Sequence, residues 1–257
     1  MDSVNKISIA GSGKVAEAFS RAMKDAGHSI VQIYSRNQHT GSNLAKSVGA
    51  QHISSNDEII NVDLFAVLVS DDSILEISNL LPSNIPQFHA SGVTGIEVLQ
   101  SEFSGVVWPI KSINSKSSNS SLYGTPMAIE ANNDSLENML TAIVDSIGGQ
   151  GFKADSKQRA IIHLAAVFTD NFANHCLSLS QEILKENGFS PNLMNSLAQG
   201  LVDGAKNGDS VNRQTGVALR GDLGSQLKHL ELLEREDLKE FYKFLSKQIK
   251  EYHELQG

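Results

Sequence analysis

A chain of 257 residues with 40% hydrophobic and 19% charged side chains is long enough for two domains and has the composition of a globular protein. Its formal charge of -8 argues against nucleic acid or an anionic membrane surface as the main partner. A single cysteine, Cys176, excludes an intrachain disulfide and fits a reducing cytoplasm; no apolar run is long enough to cross a bilayer, and residues 1–6 lead into the first strand without the apolar region of a signal peptide.

Ile7–Ala10 is predicted as the first strand, followed by a helix with Val15, Phe19, Ala22, Met23 and Ala26 at helical spacing that stops at Gly27. Ile30–Tyr34 reads as the second strand, Ser42–Val48 as a short helix ending at Gly49, and Gln51–Ile53 as a third strand. Leu64–Val69 is a continuous apolar run, as expected of a strand buried on both faces. Helix Ile74–Leu80, strand Gln87–Ala90, helix Gly95–Gln100 and strand Val106–Trp108 follow, then a loop rich in Ser, Asn and Lys at 114–121. Pro126–Glu130 reads as a further strand, assigned to a sheet edge by its proline, and helix Leu136–Ile147 ends at Gly148. After Phe152 only helices are expected: a long one capped by Asp155 and Ser156 and running to Glu186, one from Pro191 to Asn207, one near Ser225–Leu233 and one from Arg235 to Tyr252. The alternation predicts an α/β fold. A doubly wound, mostly parallel Rossmann sheet in residues 1–154 precedes a smaller all-helical domain in 155–257.

The turn after the first strand, Gly11-Ser12-Gly13-Lys14-Val15-Ala16, has the spacing of a dinucleotide-binding turn. Gly11 permits the tight turn, Gly13 lets a pyrophosphate approach the backbone, and Ala16 lets helix and strand pack closely. The helix start adds unpaired N–H groups and a positive dipole end. The second strand ends Tyr34-Ser35-Arg36-Asn37, and no Asp or Glu occurs between Asp25 and Asp57. A carboxylate there would repel a 2′-phosphate, whereas Arg36 pairs with one and Ser35 and Asn37 donate to it, so NADP(H) is expected rather than NAD(H). At the ends of later strands, the Val69–Ser70 backbone and Ala90, Ser91 and Gly92 are expected to touch the cofactor, with Asp71 or Asp72 capping the next helix.

A reductase also needs a proton donor. On the long helix, His163, Asp170, Asn174 and Gln181 fall along one polar stripe with Asn171 beside it. His163 is the first candidate acid, because imidazole exchanges protons near neutral pH. Asn171 is placed to hydrogen-bond the substrate, Lys111 is a second donor, and Ser91 is a candidate to orient a carbonyl. Arg220 is a carboxylate-binding candidate, Asp222 a helix cap, and Cys176 a packed apolar position. No spacing of Cys, His or carboxylates has the pattern of a metal site.

Together with His89-Ala90-Ser91-Gly92, Trp108-Pro109-Ile110-Lys111-Ser112, His163 to Phe168, Asn171, Thr215-Gly216 and Arg220-Gly221-Asp222, the glycine turn resembles a family of short-subunit dehydrogenase-like oxidoreductases. These join a Rossmann-like domain to a helical domain of unknown function and are related to pyrroline-5-carboxylate reductase and the NADP/coenzyme F420 oxidoreductases. The chain departs from its relatives at Lys111, where a neutral polar residue is usual, and at Val217, where proline is common. Related hydroxyacid dehydrogenases carry a Lys where Val167 stands, one turn before the Asn matched by Asn171. The resemblance implies hydride transfer between NADP(H) and a small carbonyl or imine held between the domains, with a deazaflavin partner as a variant. The alternative is a non-catalytic NADP(H)-binding sensor or assembly protein. Leu238, Phe241, Tyr242, Leu245 and Ile249 at helical spacing lead us to expect a homodimer through the C-terminal helices.

Overall fold

The computed structural model describes residues 6–113, 121–206, 208 and 210–255. Among these residues the strands are β1 (Lys6–Ala10), β2 (Ser29–Tyr34), β3 (Gln51–Ile53), β4 (Leu64–Val67), β5 (Gln87–His89), β6 (Ser104–Pro109), β7 (Pro126–Ala131) and β8 (Gln150–Lys153). They form one eight-stranded sheet in the order β3-β2-β1-β4-β5-β6-β7-β8. Strands β1 to β6 are parallel, β7 is antiparallel to β6, and β8 is parallel to β7. The order reverses at β1 and β4, which leaves a crevice outside their carboxyl ends.

Alternation along the strands builds a core on each face. Ile7, Ile9, Leu64, Ala66 and Phe88 meet Phe19 and Met23 of α1 (Lys14–Asp25), Leu44 of α2 (Gln38–Val48) and Leu140 of α4 (Asp134–Ser146). Phe65 and Val67 point the other way, onto Ile74 and Ile77 of α3 (Ile74–Ser78). Ala16, Phe19 and Met23 share one face of α1 and have no exposed surface. Burial of Phe19 alone contributes about 2–3 kcal/mol. α2 begins four residues before its predicted start, because the Asn37 side chain accepts the Thr40 N–H as an N-cap. It ends as predicted at Gly49, whose φ is 78°.

Two expectations about the sheet region fail. The segment 95–100 forms only a 3-10 turn over Ile96–Val98, with no side-chain cap at Gly95 to start a longer helix. Pro126 does not mark an edge: β7 lies between β6 and β8, and the proline opens the strand, where its missing N–H interrupts no ladder. The edge is β8, whose side chains are largely exposed, so its sequence lacks an apolar signal.

The long helix starts as predicted. Asp155 accepts the Gln158 N–H at 2.8 Å and Gln158 returns a bond to the Asp155 N–H at 3.0 Å, a capping box. It proceeds as α5 (Ser156–Ala166), a π turn (Val167–Phe172) and α6 (Ala173–Glu186). The extra residue of the π turn means that the stripe counted at 3.6 residues per turn does not continue in phase to Asn174 and Gln181. A 3-10 turn (Pro191–Met194), α7 (Asn195–Ala205), α8 (Leu223–Leu232) and α9 (Glu236–Glu254) follow, with Asp222 capping α8 through the Ser225 N–H at 3.0 Å. The expected loop at 114–121 falls, apart from Ser121, outside the described residues, as does Asn207.

Strands end at Lys153, whereas the chain divides into compact units at Met1–Ala173 and Asn174–Gly257. Among the described residues of the second unit only Gly204 and Ala218 are buried. Cys176, expected to be packed, is exposed. None of the described helices is long and apolar enough to cross a membrane.

Candidate functional site

A cavity of about 520 Å³ lies outside the carboxyl ends of β1, β2 and β4. Gly11, Ser12, Gly13, Lys14 and Val15 line it after β1, Tyr34 to Asn37 after β2, and Leu68 to Ser70 after β4. Ser73 and Ile77 flank it. Gly11 has φ 129°, and a Cβ there would lie 2.2 Å from the Leu68 carbonyl oxygen. Only glycine therefore lets the turn rest on the end of β4. A Cβ on Gly13 would meet nothing within 4 Å, so the space over the helix start is open to a ligand. An unobstructed backbone beneath the first N–H groups of α1 fits a pyrophosphate. Ala16 sits beneath the turn, fully buried.

The rim carries hydroxyls and charge. Ser12 Oγ lies 2.8 Å from Ser35 Oγ and 2.7 Å from Thr40 Oγ1. Arg36 is exposed, and its Nη1 donates to Glu76 Oε1 at 3.0 Å and Oε2 at 3.3 Å. Sequence distance hid this carboxylate, which comes from α3.

Ala90, Ser91 and Gly92 do not line this cavity. Ser91 is buried and works within its own loop. Its Oγ lies 2.8 Å from Asp71 Oδ2 and 2.9 Å from Thr94 Oγ1, and accepts the Thr94 N–H at 3.0 Å. Asp71 thus bonds across to Ser91 rather than capping the helix after β4. Gly92 is wedged against two rings: a Cβ would lie 2.5 Å from His163 Cδ2 and 2.7 Å from Trp108 Cε2.

Those rings mark a second cavity, of about 470 Å³, formed by Trp108–Ser112 at the end of β6 and just past it, and by Ile162, His163, Ala165–Val167 and Thr169–Asn171. His163, Asn171 and Lys111 line it together; Ser91 does not. The His163 ring lies 5.5 Å from the Trp108 ring, tilted by 44°. Lys111 Nζ donates to the Ser121 carbonyl at 2.5 Å. Ser112 donates to the Asp170 carboxylate, which brings the π turn onto the loop after β6. A π turn within an α-helix is frequently found at a functional site. Val167, at the place of the lysine in related dehydrogenases, lines the same cavity.

Sequence reasoning missed the network behind this wall. Arg159 is 0% exposed. Its Nη1 donates to the Glu130 carboxylate, its Nη2 to the Thr94 carbonyl at 2.6 Å and its Nε to the Ser91 carbonyl at 3.3 Å. Ser156 adds a 2.9 Å bond to Glu130. The guanidinium thereby ties α5, β7 and the 91–94 loop together. The available signal was Glu130, an ionisable residue ending the apolar run Met127–Ile129. Beside it, His89 Nδ1 accepts the Ser91 N–H at 3.1 Å and Nε2 faces the Gly95 carbonyl at 3.3 Å. Burial, with Arg159 adding, lowers its pKa to about 4, so His89 is neutral at pH 7.

Residues 6–83 match the family model described as NADP oxidoreductase, coenzyme F420-dependent, and residues 125–249 match a domain of unknown function, DUF2520. The N-terminal part of the chain is thus similar to NADP oxidoreductases of that type, and the C-terminal part to the domain of unknown function. Gly11–Ala16, Ser35–Asn37 and Val69–Ser70 fall within the first of these matches. His163 and Asn171 fall within the domain of unknown function, and residues 89–92 and 108–112 within neither match. Among solved structures, Bacteroides fragilis BF3122, described as a candidate NADP oxidoreductase, is similar at 27% identity over 96% of this chain and 98% of its own, with a TM-score of 0.87. An imine reductase from Myxococcus stipitatus in complex with NADP+ shares 16% identity over 96% of this chain and 95% of its own, with a TM-score of 0.65. A 1-pyrroline-5-carboxylate reductase from Streptococcus pyogenes shares 15% over 96% and 97%, with a TM-score of 0.63. The last two likenesses speak to the fold. None of the curated proteins matches the chain.

Proposed function

We propose that the protein is an NADP(H)-dependent oxidoreductase that moves a hydride to or from a small carbonyl or imine substrate. The carrying observation is the open crevice over Gly11–Val15 with Arg36 on its rim, in a domain of the NADP oxidoreductase type. Gly11, Ser12, Gly13, Lys14 and Val15 hold the diphosphate, supported by Ala16 beneath. Ser35, Arg36 and Asn37 take the 2′-phosphate, and the Val69–Ser70 backbone borders the adjoining ribose. When bound, NADPH supplies the hydride.

The substrate lies in the cavity beside Trp108. His163 delivers a proton to the heteroatom as the C=O or C=N carbon is reduced, and Asn171 hydrogen-bonds that atom. Lys111, tethered to the Ser121 carbonyl, borders the entrance as a second donor. Ala90 and Gly92 shape the nicotinamide end, with Ser91 holding their loop. We place the protein in the cytoplasm, consistent with its single, exposed cysteine. It works as a homodimer joined through the C-terminal helices, which leave large apolar side chains uncovered.

Val167, which puts an inert side chain where related dehydrogenases carry lysine, favours a second reading as a non-catalytic NADP(H) sensor or assembly protein. One assay separates the two. NADPH is mixed with the protein and a panel of cyclic imines and 2-keto acids, and the reduced-nicotinamide absorbance is followed. Turnover that is lost in His163→Gln supports the reductase. Tight NADPH binding without turnover across the panel selects the sensor.

A further inference from the structure

We propose that Glu76 is a selectivity residue of the nucleotide crevice: it competes with the 2′-phosphate for Arg36 and so attenuates the preference for NADP(H) over NAD(H). This rests on the cofactor reading above. Between Asp25 and Asp57 the sequence offers no carboxylate, which makes the end of β2 look purely basic. The fold changes that. α3 follows β4, two strands from β2 in the sheet, and brings Glu76 within 3.0 Å of Arg36. Ser73 and Ile77, on either side of Glu76 in sequence, line the same cavity as Arg36, so the ion pair stands at the edge of the crevice.

Arg36 and Glu76 side chains are 62% and 57% exposed, so the pair is weak and readily exchanged. A nucleotide without a 2′-phosphate leaves it intact. A 2′-phosphate must draw Arg36 from Glu76 and then share the rim with a like charge. The hydroxyls of Ser12, Ser35 and Thr40 are neutral and bond to one another, so they donate without correcting the balance, and the other cation on the cavity lining, Lys14, stands at the start of α1 with the diphosphate. Arg36 therefore confers affinity for the phosphate while Glu76 sets how much of it is realised.

The test is calorimetric titration of NADP+ and NAD+ into the full-length wild type, Glu76→Gln, Arg36→Gln and the double variant. At about 0.05 M salt, Glu76→Gln binds NADP+ roughly two- to fivefold more tightly than wild type, and the gain shrinks at about 0.5 M salt. Binding of NAD+ is unchanged, and the gain is smaller when Arg36 is already glutamine, where only the like-charge repulsion between Glu76 and the phosphate is relieved. Wild-type binding of NADP+ with no tightening in Glu76→Gln overturns the role of Glu76 alone. Weaker NAD+ binding in Glu76→Gln also overturns it, since the carboxylate would then be serving ribose hydroxyls. A wild type without affinity for NADP+ overturns the cofactor reading itself.

Discussion

At the scale of single residues, the polar side chains His89 and Ser91 of the 89–95 loop are held by burial and by hydrogen bonds. His89 has no exposed surface, and both its ring nitrogens are taken by the loop. Its pKa falls from 6.5 to about 4, chiefly because burial disfavours the imidazolium and further because Arg159 lies near. In the unfolded chain the same ring takes up its proton near pH 6.5, so between the two values the unfolded state binds more protons. The contribution of His89 is thus complete above about pH 6.5 and is lost as pH falls towards 4, by up to about 3 kcal/mol. Urea unfolding at about pH 7 and about pH 4.5 measures it. The wild type loses more stability over that interval than His89→Gln does; equal losses would exclude the assignment.

At the scale of elements, the Arg159 network decides how α5 seats against β7 and the 91–94 loop. Removing the guanidinium strands the Glu130 carboxylate in a half-buried position. Arg159→Met is therefore expected to lose about 3 kcal/mol, and Arg159→Met with Glu130→Leu to recover part of it, as read by denaturant midpoints. No recovery in the double variant would mean that the backbone bonds to Ser91 and Thr94 matter more than the ion pair. Elements with strong local signals were legible beforehand: the glycine stop at Gly49 and the Asp155 cap lie where composition put them, and the run Leu64–Val69 holds β4, which ends two residues earlier, at Val67. What escaped was set by tertiary partners. The exposed edge strand β8 has no apolar pattern, Pro126 opens an interior strand, and the π turn breaks a count that assumes 3.6 residues per turn. The same division holds for the site. Gly11–Val15 was visible as a contiguous motif and Arg36 as the cation at the end of the second strand, whereas Glu76, Arg159 and the Ser112–Asp170 bond join residues far apart in sequence. Ser91, expected to orient substrate, instead holds its own loop, because its hydroxyl is fully engaged with Asp71 and Thr94.

At the scale of the molecule, the helical unit stands out for what it leaves uncovered. Leu197, Leu201, Leu223 and Leu232 are each more than two-thirds exposed, and Phe189, Phe244 and Leu255 add to the apolar surface. Two buried positions among its described residues do not make a core that holds helices together. A second copy supplies the missing burial in the dimer proposed above. Sedimentation equilibrium at micromolar concentration should give twice the chain mass, and the thermal midpoint should rise with protein concentration. A monomer with a concentration-independent midpoint would remove the dimer.

The seating of Gly11 on the Leu68 carbonyl also bears on kinetics. Because the glycine turn is braced by the neighbouring strand, the floor of the crevice is already formed when a nucleotide arrives, and the remaining ordering falls on exposed side chains at the rim. Dinucleotides that share a diphosphate but differ at the adenosine should therefore associate at similar rates and part company in residence time.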